Sequence, residues 1–141
     1  MAGVEERPQF EVLEHTADIG LLAWGRTIEE LFENAAAGLL EILSAAAPQG
    51  SIEEEIAAEA DDRAALLVHF LDELIYLVDG RGARIARVDV RFDAPTKLLA
   101  RLSWTPSEEP VEGTELKAAT FHQLSLEERD GGYEGTVYFD V

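Results

Sequence analysis

From Ala86 onward, apolar side chains recur at every second position. Ala86, Val88, Val90 and Phe92 alternate with Arg87, Asp89 and Arg91, and Leu98, Ala100, Leu102 and Trp104 resume the pattern after a turn at Pro95-Thr96. Leu116 to Leu126 reads as a long strand, Asp130-Gly131-Gly132 as a hairpin turn, and Tyr133 to Val141 as a last strand. Successive side chains on a strand point to opposite faces, so each of these segments carries an apolar face that must be covered. Strands joined by tight turns pair antiparallel. The polar stretch 105–114, with Pro106, Pro110 and Gly113, is a loop. A chain with this C-terminal half is not a helical bundle, and whatever precedes it must supply the cover.

Two earlier segments have the helical period. Thr27-Ile28-Glu29-Glu30 carries a capping-box pattern, with Thr27 as N-cap and Glu30 three residues on. Leu31, Phe32, Ala35, Leu39, Ile42 and Leu43 then recur on one face, until Pro48 and Gly50 stop the helix. Asp61 or Asp62 caps a second helix through Leu66, Leu67, Phe70, Leu71, Leu74, Ile75 and Val78, closed by Asp79-Gly80-Arg81-Gly82. That helix is apolar on most sides and is expected to be largely buried, with His69 as a core or boundary residue.

Phe10 to Leu13 and Gly20 to Gly25 read as two short strands around a polar turn. Residues 51–60 fit two periods. Ile52, Ile56, Ala58 and Ala60 alternate with Glu53, Glu55 and Glu59, but Glu54 breaks the alternation, and Ile52, Ile56 and Ala60 also suit a helix. We assign a strand. The resulting class is α+β: two helices packed on a largely antiparallel, mixed β-sheet. It forms a single domain over residues 10–141, behind a flexible N-terminal segment, residues 1–9.

At 141 residues, 47% of them apolar, the chain can bury a core without staples. With no cysteine, it has no thiol nucleophile, disulfide or thiolate metal site. Eleven basic against 29 acidic residues give a net charge of −18. That balance opposes strong direct binding to nucleic acid or anionic membranes, and points to basic proteins or cations as partners. No apolar run reaches membrane-spanning length, and Met-Ala-Gly-Val-Glu-Glu-Arg lacks the apolar core of a signal peptide, so a cytoplasmic protein is expected. None of Ser44, Ser51, Ser103, Ser107 and Ser125 lies in a G-x-S-x-G elbow, and neither a P-loop nor a G-x-G-x-x-G turn is present. A catalytic role is therefore not expected.

Two polar clusters remain. In Glu14-His15-Thr16-Ala17-Asp18, Thr16 and Asp18 suit either a turn that bonds its own backbone or a ligand site. Tyr138-Phe139-Asp140-Val141 places Asp140 and the α-carboxylate of Val141 on a strand. This is either an exposed acidic strand end or, with Asp18, an all-oxygen site for a hard cation such as Ca²⁺, or Mg²⁺ with more water retained. In Lys117-Ala118-Ala119-Thr120-Phe121-His122, alternation sets Lys117, Ala119 and Phe121 on one face and Ala118, Thr120 and His122 on the other. A lone strand histidine such as His122 reads as a structural hydrogen-bonding residue before it reads as a catalyst.

His15-Thr16-Ala17-Asp18-Ile19-Gly20, Trp24-Gly25-Arg26-Thr27 and the following Glu29 to Ala35, Phe70 to Leu77, Lys117 to His122 and Phe139-Asp140-Val141 together resemble the archease family, in order and spacing. The resemblance covers nearly the whole chain from Phe10, leaving out the 105–114 loop. It implies a non-catalytic accessory protein of the GTP-dependent tRNA-splicing ligase, the enzyme that joins RNA ends through a guanylylated histidine. Such a protein promotes the ligase's guanylylation and multiple turnover. It implies, as an alternative, a protein chaperone for a tRNA cytosine methyltransferase. It also implies a divalent-cation site, read as Ca²⁺ with Mg²⁺ or Mn²⁺ as substitutes, on Asp18, Asp140 and Val141. His15, Lys117 and His122 match family positions as neighbours of that site, without a ligand role.

Overall fold

The structure, a computed structural model, describes residues 9–14 and 18–141. Strand β1 (Phe10–Glu14) and strand β2 (Asp18–Gly25) lead into helix α1 (Ile28–Leu43). Strand β3 (Ile52–Glu59) precedes helix α2 (Arg63–Arg81), and strands β4 (Ala83–Ala94), β5 (Lys97–Pro106), β6 (Ala118–Arg129) and β7 (Gly132–Asp140) complete the chain. The strands form two sheets, ordered β1-β2-β7-β6 and β3-β5-β4, with every strand pairing antiparallel. The α+β class and the helix-covered antiparallel strands are as the pattern predicts. The partition into two sheets is not in the pattern, because alternation reports which face is apolar and not which strand is the neighbour.

Both helices touch strands of both sheets, so one core joins the whole domain. Its centre is aromatic: the rings of Phe32 in α1 and Phe70 in α2 lie 5.8 Å apart, and Phe92 of β4 meets Phe32 edge-on at 5.2 Å. Leu21 and Ala23 of β2 and Val137 and Phe139 of β7 close the core from the larger sheet. No polar or charged residue is fully buried among those described. Such a core is held by apolar burial alone, at about 25 cal/mol per Å² removed from water.

The helix starts follow the sequence. Thr27 Oγ1 accepts from Glu30 N, while Glu30 Oε1 accepts from Arg26 N, one residue earlier than the usual capping box. Asp62, rather than Asp61, caps α2 by accepting from Ala65 N. The helix ends are less legible. Helix α1 stops at Leu43, before Pro48, because Ser44 turns left-handed (φ 53°) and the next residues join β4. Ile85 N donates to Ala45 O and Ala47 N donates to Ile85 O. Helix α2 runs to Arg81, with Gly82 in the left-handed conformation that glycine adopts without penalty.

Residues 52–59 are a strand, and Glu54 explains the broken alternation. It lies on the half-buried side, where Arg81 donates to both of its oxygens (2.9 and 3.1 Å) and Trp104 Nε1 donates at 3.3 Å. The Arg81 guanidinium in turn stacks 5.0 Å from the Trp104 ring. His69 is exposed, a correction to the expected core or boundary position: it sits on the outer face of α2, its Nδ1 3.1 Å from Glu59 O. The last long loop runs to Lys117, later than alternation suggests, and Leu116 is buried from within it. Of the expected N-terminal flexible segment, residues 1–8 lie outside the described residues, while Gln9 O accepts from Trp24 N.

Candidate functional site

Asp18 opens β2 and Asp140 closes β7, and the two are direct register partners in the β2·β7 ladder. Directly opposed residues on antiparallel strands have Cβ atoms about 4.5–5.5 Å apart. Two carboxylates, 122 residues apart in the chain (140 − 18), are thereby set side by side at one end of the larger sheet. On the other flank Ala118 of β6 pairs with Asp140, and Lys117 N donates to Asp140 O at 2.9 Å. Val141 follows Asp140 and is 47% exposed. The fold therefore brings Asp18, Asp140, Val141 and the main chain of Lys117 into one place. The Lys117 side chain is exposed. His15 lies outside the described residues.

The strand ends are fixed by their neighbours on the same face. Gly20, two residues along from Asp18, pairs with Tyr138, two residues before Asp140. The Tyr138 ring lies across Gly20, so closely that a Cβ there would stand 2.6 Å from Tyr138 Cε2. This is why glycine, and no larger residue, follows Asp18 at the second position. Thr120 Oγ1 donates to Tyr138 O (2.9 Å) and accepts from His122 N (3.2 Å). The His122 ring is exposed and meets Tyr138 edge-on, 6.2 Å between centroids. His122 thus supports the face that carries the carboxylates, four residues of sequence from Ala118, rather than joining them.

A second contact locks this corner and was not legible as more than a helix position. Asp72 of α2 reaches across to β6, where its Oδ1 accepts from Ala119 N at 2.7 Å. Strand β6 is an edge of its sheet, so its outward N–H groups need partners, and Asp72 takes the one beside Asp140. Burial raises the Asp72 carboxyl above its usual value of 3.8, opposed by the Ala119 hydrogen bond and by His69. The motif Phe70-Leu71-Asp72-Glu73-Leu74 gave the one signal available, a carboxylate among core-facing apolar residues.

Like charges directly across a strand pair repel. Among the described residues, no lysine, arginine or histidine forms an ion pair with Asp18 or Asp140. The two Asp side chains alone are oxygen donors with a double negative charge, which fits a hard divalent cation better than a soft one. It is also small. No group of three or more His, Asp and Glu side chains placed to hold a metal occurs among the described residues. A cation here would take main-chain oxygen at Val141 and water for the rest of its shell.

The chain matches the archease protein family over residues 10–141. It is 36% identical to the archease of Methanosarcina mazei over 141 aligned residues, covering 94% of this chain and 96% of the relative. Against the archease of Methanothermobacter thermautotrophicus the identity is 31%, covering 94% and 98%. Among solved structures, the solution structure of Methanobacterium thermoautotrophicum protein 1598 superposes with a TM-score of 0.70 at 30% identity, covering 94% of this chain and 99% of that one. The crystal structure of a Thermotoga maritima archease, described as a possible chaperone, gives 0.66 at 25% identity and covers 98% of each chain.

Proposed function

This chain belongs to the archease family, and we propose that it is an accessory activator of a GTP-dependent RNA ligase, working through a divalent cation held at Asp18, Asp140 and Val141. The observation that carries this is the cross-strand pairing of Asp18 with Asp140. The fold holds two carboxylates in opposition at the end of a sheet, on strands, with no ion pair to either among the described residues. Sites built on strands hold their groups more tightly than sites on loops.

Each residue has a separate part. Asp18 and Asp140 supply the charge. Val141 supplies main-chain oxygen. Lys117 N and Thr120 Oγ1, bonded to the β7 carbonyls of Asp140 and Tyr138, fix the end of that strand. Gly20 and Tyr138 set the spacing of β2 against β7. When bound, Ca²⁺, Mg²⁺ or Mn²⁺ supplies positive charge that relieves the carboxylate repulsion and can be presented to the ligase's nucleotide centre. The acidic surface speeds encounter with a basic, RNA-binding partner, since complementary charge raises association rates. The setting is the cytoplasm, and the described helices include none long and apolar enough to cross a membrane.

The test is ligation turnover. Trace amounts of this protein are expected to convert single-turnover ligation by the cognate ligase into multiple turnover, and folded Asp18→Ala protein to fail. Equal activation by both proteins removes the carboxylates from the mechanism. A second reading, a chaperone of an RNA-modifying enzyme such as a tRNA cytosine methyltransferase, has its own support. The Thermotoga maritima relative is described as a possible chaperone, and Tyr76 and Phe121 are large apolar side chains left exposed. A chaperone acts near one-to-one stoichiometry and does not need Asp18 or Asp140, so the same titration separates the two.

A further inference from the structure

Strand β6 departs from its ladder beside the carboxylate pair. Thr120 pairs with Tyr138 and Ser125 with Thr136, so the four β6 residues 121–124 stand opposite the single residue Val137. Gln123 at the crest is left-handed, φ 52°, a conformation that residues other than glycine, asparagine and aspartate rarely adopt. A strained residue inside a strand persists only where the surrounding structure over-determines it, and such residues gather at functional sites. The effect of this bulge is to bring Phe121, His122 and Gln123 to the surface in succession.

Phe121 is 60% exposed and rests edge-on against His69 of α2, 6.3 Å between centroids. From there α2 runs antiparallel along the segment leading into β6. Asp72 meets Ala119, and Asp79 lies near enough to Glu115 to feel its charge. His69, Asp72, Glu73 and Tyr76 fall at helical spacings that share one outward face. Tyr76 is 64% exposed, about 10 Å along the axis from His69 at 1.5 Å per residue. The seam thus presents two bared aromatic rings with Asp72 and Glu73 between them and an exposed Lys117 beside them; beyond lie Asp79 and Glu115, which line one hollow with Arg81 and Arg84. Asp140 lies one strand in from the middle of the seam, as the register partner of Ala118.

We infer that the seam between α2 and the β6 bulge, centred on Phe121, Glu73 and Tyr76, is a docking surface for a lysine- and arginine-bearing segment of a partner protein. Aromatic faces attract guanidinium and ammonium groups, carboxylates beside them add charge, and exposed aromatic anchors carry most of the energy in protein interfaces. An anionic or purely apolar partner does not fit, because the carboxylates between the rings would lose water without gaining a counter-charge. The identity of the partner as the RNA ligase rests on the function proposed above; the surface itself does not.

The test uses the full chain and a short peptide of alternating arginine and tryptophan, followed by amide-resolved NMR. Shifts are expected to concentrate at residues 69–76 and 118–123. Affinity is expected to fall on the order of tenfold in Phe121→Ser and in Glu73→Lys, and little in Glu11→Lys, which makes the same charge change on the opposite edge strand. Shifts scattered over the acidic surface, or equal weakening by Glu73→Lys and Glu11→Lys, overturn the assignment. The ligase then separates the two readings. If it ignores the wild-type chain while the peptide seats on the seam, the partner is wrong and the surface stands. If it is activated equally by the wild type and by a Phe121→Ser, Glu73→Lys double variant, the ligase is not the partner that docks at the seam, and the activator reading stands.

Discussion

Asp18 and Asp140 are set against each other by the β2·β7 register, and that opposition has measurable consequences. A like-charge cross-strand pair destabilises by about 0.2–1 kcal/mol. Asp140→Asn is therefore expected to be slightly more stable than the wild type in chelator. Calcium is expected to raise the unfolding midpoint of the wild type, by about 2.7 kcal/mol of stability at a hundredfold excess over Kd, and to leave Asp140→Asn unmoved. Thermal unfolding with and without calcium checks both. The carboxylates were legible because acidic residues ended otherwise apolar strands. The packing of Tyr138 over Gly20 was not, since it depends on which strand is the neighbour. Gly20→Ala is expected to lose about 1–3 kcal/mol, because the buried Tyr138 ring has little room to move. Asp79 offers a pH signature. Burial first, and Glu115 second, raise its carboxyl above the usual 3.8. The folded state then holds the proton more tightly than the unfolded chain, so stability from this group falls as pH rises through the window above 3.8. Asp79→Asn is expected to be more stable than the wild type at neutral pH, with the margin disappearing as pH falls toward 3.8; urea unfolding across that range measures it.

Elements were legible where local chemistry decides and illegible where tertiary contacts do. The Thr27 and Asp62 caps start both helices as their sequences require, because a cap bonds residues three positions away. Proline and glycine beyond α1 pointed to a later stop than Ser44, whose left-handed turn is compensated by pairing of Ala45 and Ala47 with Ile85. The β6 bulge had no sequence signal at all: Gln123 is not a residue that announces a positive φ. Replacing it by glycine removes the steric penalty of that conformation, about 1–2 kcal/mol, against glycine's added entropy in the unfolded chain. Gln123→Gly is expected to be neutral to about 1 kcal/mol more stable, whereas the same change in a regular strand destabilises. Asp72→Ala removes the partner of Ala119 N and is expected to lose about 1 kcal/mol and to speed amide exchange in the first residues of β6.

The whole molecule is two helix-covered antiparallel sheets around one apolar core, carrying a charge of −18. Composition and periodicity were enough for the class and the order of elements, and the dispersed motifs added the family. The division of strands between sheets required knowledge of neighbours, which single-sequence alternation does not hold. The charge works at this scale rather than at any residue. A charge of this sign disfavours contact with nucleic acid and favours basic surfaces, while self-repulsion weakens the folded state. At this scale the paired carboxylates are proposed to make the protein an activator. Multiple-turnover RNA ligation by the cognate GTP-dependent ligase, with trace wild type or trace Asp18→Ala, tests it most directly. Repeated turnover is expected with the wild type and a single turnover with the variant; repeated turnover with both, or with neither in the presence of a competent ligase, contradicts an activator that works through the paired carboxylates.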